Sequence, residues 1–151
     1  MQTKRKVFAY ITQGNDLLVF EHEDAPEAGI QVPAGTLEDG ETPEEGVLRE
    51  AKEETGLQKL SIVRFLGEQI RDMSDYGKSE IHHRYFYHLI SEDDTHPLWR
   101  HYEHYSSDNS GKPYLFWFHW SDINQLPELI ADHDFYVKKL RGLLRSYKAE
   151  E

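Results

Sequence analysis

"KRKVFAYIT", residues 4–12, and "DLLVFEHE", residues 16–23, are dense in β-branched and aromatic residues and are separated by Gln13, Gly14 and Asn15. Two such runs across a short Gly/Asn link predict a β-hairpin. "DAPEAG" carries loop residues, and "IQVP" after it predicts a short extended piece. The spacing then becomes helical. Thr42 is a good N-cap, Pro43 suits the first helical position, Glu45 stands where a capping-box acid belongs, and Gly56 offers the matching stop. "LSIVRFLGEQI", "IHHRYFYHLI", "PLWRHYEHY" and "PYLFWFHW" predict four further strands, the last two joined by a hairpin loop at "SSDNSGKP". "SDINQLPEL" opens on a capping residue, and "DFYVKKLRGLLRSY" has apolar positions at helical spacing. Strands, helix, strands, helix is the order of a mixed α/β (α+β) domain, a sheet with helices packed over it. The regular alternation of a doubly wound fold is missing.

Composition narrows the class. The 151 residues suit a single domain, 1–151, and 13% aromatics provide enough apolar surface for a core. No apolar run approaches the roughly 20 residues that cross a bilayer, and the N-terminus has no apolar stretch of the signal-peptide kind. Without cysteine there is neither a disulfide framework nor a thiolate metal site, and the cytoplasm is the default compartment. Seventeen basic against 28 acidic residues give a net charge of −11, which speaks against duplex nucleic acid as a partner. Such a surface keeps a protein soluble. If the substrate is itself an anion, a cation such as a bound divalent metal must mediate.

The predicted helix concentrates acids. At about 100° per residue from Val47, residues Val47, Ala51, Thr55 and Leu48 fall near 0°, 40°, 80° and 100°, a face for the core. Glu53, Glu50 and Glu54 fall near about 240°, 300° and 340°, on a separate flank. Left uncompensated, each close pair of acids costs roughly 0.2–0.5 kcal/mol. Gly46, near about 260°, is expected to leave space beside the carboxylates for a guest. A hard divalent cation with oxygen ligands resolves the repulsion and accepts phosphate oxygens in its remaining positions. Arg49 is placed to orient one carboxylate through a forked hydrogen bond.

"GTLEDGETPEEGVLREAKEETGL", residues 35–57, resembles the Nudix box, G-x5-E-x7-R-E-U-x-E-E-x-G-U, where U is a bulky aliphatic. The matching residues are Gly35, Glu41, Arg49, Glu50, Glu53, Glu54, Gly56 and Leu57, and Ala51 at the first U is the departure. The resemblance implies a Nudix-type α/β/α sandwich with a mixed β-sheet and the box as loop–helix–loop. It also implies hydrolysis of a nucleoside diphosphate linked to another moiety X. By carry-over, Glu50, Glu53 and Glu54 bind Mg²⁺ or Mn²⁺, with the Gly35 carbonyl as a further ligand. Arg49 and Glu41 support them. Glu50 or Glu53 is the box residue to deprotonate the attacking water, although some members use a carboxylate from a distant loop. A Nudix-fold module that binds a nucleotide without cleaving it is the alternative, and family members are often homodimers.

"QVPAG" before the helix resembles the run leading into the box in enzymes acting on ADP-ribose and nucleotide sugars. The downstream proline common in those enzymes is absent from "LGEQIRDMSD", and Tyr76 is not clearly in register with the tyrosine of dinucleoside polyphosphate hydrolases. X therefore stays open among nucleotide sugars, ADP-ribose-like compounds, dinucleoside polyphosphates and nucleoside triphosphates. Outside the box, Glu103 is a candidate extra ligand or base, and Arg71 and Arg84 are candidates to meet phosphate. The nine histidines do not form a zinc pattern: His82 and His83 point to opposite strand faces.

Overall fold

The structure, a computed structural model, describes residues 1–103 and 114–149. Seven strands form one mixed sheet: β1 (Gln2–Gln13), β2 (Asp16–His22), β3 (Ala34–Thr36), β4 (Leu60–Asp72), β5 (Glu80–Ser91), β6 (Leu98–Glu103) and β7 (Tyr114–Asp122). Its order is β4-β5-β1-β2-β7-β6, with β3 paired to β1. β1 runs parallel to β5, and every other pairing is antiparallel. Helix α1 (Pro43–Thr55) follows β3, and α2 (Val137–Ala149) ends the described chain.

β1 is the central strand, and its alternation builds two cores. Val7, Ala9 and Ile11 pack with Val47 and Ala51 of α1, while Phe8 and Tyr10 pack with Val137 and Leu140 of α2. Successive residues of one strand face opposite ways, so the two helices lie on opposite faces of the sheet. This is an α/β/α sandwich.

One edge of β1 is shared. Its end pairs with β2 (Thr12 with Leu17, Gln13 with Asp16), and its middle pairs with β3 (Lys6 with Thr36, Val7 with Gly35, Phe8 with Ala34). The sheet divides at this point, and β3 delivers the chain directly into the loop before α1.

Two expected elements differ. The extended piece at residues 30–33 contributes a single bridge, Gln31 to Phe20, and the strand forms one step later at β3. Pro33 has no N–H to give a ladder, so pairing resumes beyond it. Ser121 and Asp122 end β7, and residues 123–129 contain only a 3-10 turn at Ile123–Gln125, where the Asp122 side chain accepts from the Asn124 N–H. Pro127 prevents that turn from lengthening into a helix. The expected hairpin loop at 106–113 lies outside the described residues.

Candidate active site on the acidic helix

Local chemistry sets the start and end of α1. The Thr42 hydroxyl accepts from the Glu45 N–H at 3.2 Å, and the Glu45 carboxylate accepts from the Thr42 N–H at 3.4 Å. Both halves of the capping box are present. Gly56, at φ 79°, closes the helix in the left-handed conformation that a side chain would strain. Between these ends Val47, Ala51 and Thr55 are buried against the sheet, as the wheel predicts.

Arg49 organises the acids. Its Nε donates to Glu41 Oε2 at 2.6 Å and its Nη2 to Glu41 Oε1 at 2.9 Å, a fork on one carboxylate. Its Nη1 reaches Glu50 Oε1 at 2.9 Å and Glu53 Oε2 at 3.2 Å. Nη2 also donates to the Thr36 carbonyl at 3.2 Å, tying the helix to the end of β3. The hydrogen bond from Arg49 holds the Glu41 carboxyl down at about 2 and, reciprocally, Glu41 keeps the guanidinium firmly protonated. Glu50 moves the other way: burial raises its proton affinity, with Arg49 opposing.

Glu50 lies against the backbone of β3. A Cβ at Gly35 would collide with its carboxylate, so the box glycine provides the hollow in which that side chain sits. Gly46 does not leave room for a guest. It is buried, and the space beside it holds the Leu37 side chain and, 3.0 Å from an added Cβ, Glu41 Oε1. Glu54 is only 5% exposed, set toward the core side of the helix rather than on an open acidic flank. Its wheel position, about 20° from Val47, carries that signal.

Hard carboxylate oxygens of Glu50 and Glu53, brought to one nitrogen of Arg49 beside the Gly35 hollow, suit Mg²⁺ or Mn²⁺ by donor type. Among the described residues no three acids or histidines stand grouped as ligands. Arg49 supplies the positive charge between Glu50 and Glu53.

On the Phe8 side of the sheet, reached from β3, lies a cavity of about 400 Å³ with Gly35 in its wall. Arg84 lines it; Arg71 does not. The Arg71 guanidinium is engaged by Asp75 at 2.9 Å and Asp132 at 3.0 Å, which makes it a tie between two turns rather than a group turned to the cavity. Glu103 ends β6, and its side chain lies outside the described residues. Its neighbour His101 donates from Nε2 to the Glu53 carbonyl at 3.0 Å, so β6 does pass the end of α1. Lys6, Lys78 and His82 also line the cavity, and sequence reasoning did not single them out for a site. Lys6 shares strand parity with Phe8, a signal that becomes readable once the strand's faces are known.

Comparison with protein-family models matches the NUDIX domain over residues 2–140. The chain belongs to the Nudix family of hydrolases. Among solved structures, the Nudix chain is similar to a UDP-X diphosphatase at 18% identity and a TM-score of 0.62, covering 100% of this chain and 66% of that one. It is similar to a MutT NUDIX hydrolase from Burkholderia pseudomallei at 20% identity and a TM-score of 0.60, covering 91% and 98%. An ADP-ribose pyrophosphatase from Streptococcus suis shares 17% identity with a TM-score of 0.59, covering 98% and 94%. At these identities the likeness establishes the Nudix fold and leaves X unassigned. No helix among the described residues is long and apolar enough to cross a membrane.

Proposed function

We propose that the protein is a divalent-metal-dependent pyrophosphohydrolase that cleaves a nucleoside diphosphate derivative by attack of water on phosphorus. The observation that carries this reading is the clamp of Arg49 on Glu41, Glu50 and Glu53 beside Gly35. Every acid of the Nudix box is retained around it.

Glu50 and Glu53 would hold Mg²⁺ or Mn²⁺, with Glu54 and the Gly35 carbonyl completing the set that the family resemblance implies. When bound, the ion lowers the pKa of water and offsets charge on the phosphoryl oxygens. Glu50 or Glu53 would take the proton that water must lose, with a carboxylate from a distant loop as the alternative. Arg49 keeps Glu50 and Glu53 facing one another, and Glu41 fixes the Arg49 plane. The substrate classes drawn from the relatives' names and the "QVPAG" run are ADP-ribose and nucleotide sugars, with dinucleoside polyphosphates and nucleoside triphosphates beside them.

The test is phosphate or nucleotide release from that panel, with and without Mg²⁺, repeated for Glu53→Gln. Turnover is expected only with metal, falling by about 10²–10⁴-fold in the variant. Metal-independent turnover, or nucleotide binding without cleavage across the whole panel, would overturn the proposal.

A further inference from the structure

The cavity beside Gly35 has a charge at odds with the chain. Three bases, Lys6, Lys78 and Arg84, line it, and no Asp or Glu does. The chain as a whole carries 28 acidic against 17 basic residues. A cationic wall in such a protein needs an explanation.

Arg84 sharpens it. The side chain is 1% exposed, yet among the described residues no carboxylate pairs with it. Its Nη1 donates to the Ala131 carbonyl at 2.6 Å and to Gln69 Oε1 at 3.3 Å, and its Nη2 meets Met73 Sδ and His82 Nδ1, each at 3.4 Å. The guanidinium lies 4.8 Å from the centre of the Phe8 ring, and Nε has no partner. All of these neighbours are neutral. A buried charge without an opposite charge is strongly disfavoured. Burial accordingly lowers the proton affinity of Arg84, to about 10, and of Lys6.

The nearby acids are already engaged. Glu80 is 2.9 Å from both Lys4 and His82, while Asp75 and Asp132 hold Arg71. Lys6 and Lys78 form no ion pair among the described residues. No described acid near the cavity is left to supply the missing negative charge.

We infer that the cavity binds an anionic group, a phosphate or a carboxylate, carried by the X half of the substrate, with Lys6, Lys78 and Arg84 as its counter-charges. This deepens the pyrophosphohydrolase reading and rests on it. Gly35 connects the two sites: Glu50 lies against it, and it also forms part of the cavity wall. Phe8 and His133 of that wall belong to the α2 side of the sheet, whereas the acids ride on α1. One substrate can therefore hold its diphosphate at α1 and its second anion in the cavity. Substrates whose X is a neutral sugar leave the cations unmatched.

The test is calorimetric titration of the full chain in chelator, without metal or turnover, using ribose 5-phosphate, gluconate, ribose and adenosine as probes. One of the two anions is expected to bind at a single site at least about tenfold more tightly than ribose or adenosine. Which anion wins separates phosphate from carboxylate. Lys6→Gln and Lys78→Gln are each expected to weaken it by about 3–10-fold; Lys78 is exposed in the turn before β5, and the Lys6 change keeps the backbone pairing of β1 and a polar side chain of similar reach. Neutral probes binding as tightly as the anions, no anion binding, or affinities unmoved by both lysine changes would overturn the inference. Failure of hydrolysis with Mg²⁺ would instead strike the proposed activity, since the titration involves neither metal nor cleavage.

Discussion

The Arg49 guanidinium and the Glu41 carboxylate meet edge to edge, with hydrogen bonds of 2.6 Å and 2.9 Å across eight residues of sequence. This fork sets the plane from which Arg49 reaches Glu50 and Glu53. Lysine cannot reproduce it, because an ammonium is a point charge without a planar pair of donors. Arg49→Lys is therefore expected to lower kcat/KM by about 10–100-fold. Steady-state kinetics with Mg²⁺ check this, alongside a melting curve to show that the variant folds.

Gly35 and Gly40 separate space from backbone conformation. Gly35 has no positive φ, but a Cβ there would strike the Glu50 carboxylate. Gly35→Ala should fold and lose about 10²-fold in turnover through a displaced acid. Gly40 has φ 80° with nothing within 4 Å of an added Cβ. Gly40→Ala should cost about 1 kcal/mol of stability with turnover kept. Parallel denaturation and activity measurements distinguish the two outcomes.

Two buried histidines make the fold sensitive to acid. Burial pushes His88 down to about 4 and His133 down to about 3, below their ordinary 6.5. His133 Nδ1 accepts the Val32 N–H at 3.1 Å, which fixes it as a neutral ring. Between pH 6.5 and about 4 the unfolded chain binds protons that the folded one refuses. Stability is thus full above pH 6.5 and falls as pH drops, by about 1.4 kcal/mol per pH unit for each histidine. Urea unfolding at pH 7, 6 and 5 reads this slope, and His88→Gln should reduce it by one histidine's share.

Ala131 adopts φ 48° and Asp132 φ 60°, two consecutive left-handed residues without a glycine. The turn they make presents the Ala131 carbonyl to Arg84, and the Ala131 N–H donates to the Tyr76 hydroxyl at 3.1 Å. Ala131→Gly should relieve the strain by about 1 kcal/mol. The melting temperature is expected to rise by about 2–4 °C. A fall in melting temperature would show that the alanine methyl in the core outweighs the strain.

The acidic helix was legible in the chain because its information is local. Caps, a 3.6-residue period and a box of fixed spacing all lie within residues 35–57, and the order of strands and helices follows from short-range patterns. Glu54 shows the limit: its angle beside Val47 hinted at burial, and its acidity suggested exposure. Arg71 and Arg84 were alike as basic residues on neighbouring strands, and only their partners separate them. Asp75 and Asp132 neutralise one, and among the described residues no acid pairs with the other.

Local spacing alone determined that this chain has a capped helix bearing Arg49, Glu50 and Glu53, because hydrogen bonds three and four residues apart need no distant help. Tertiary structure alone decided what those groups face. Pairing β3 onto β1 brings Gly35 under Glu50, and parallel pairing of β1 with β5 sets Lys6 opposite Arg84. Such contacts join residues dozens of positions apart, and burial and the partners of each charge exist only once the sheet has closed around them.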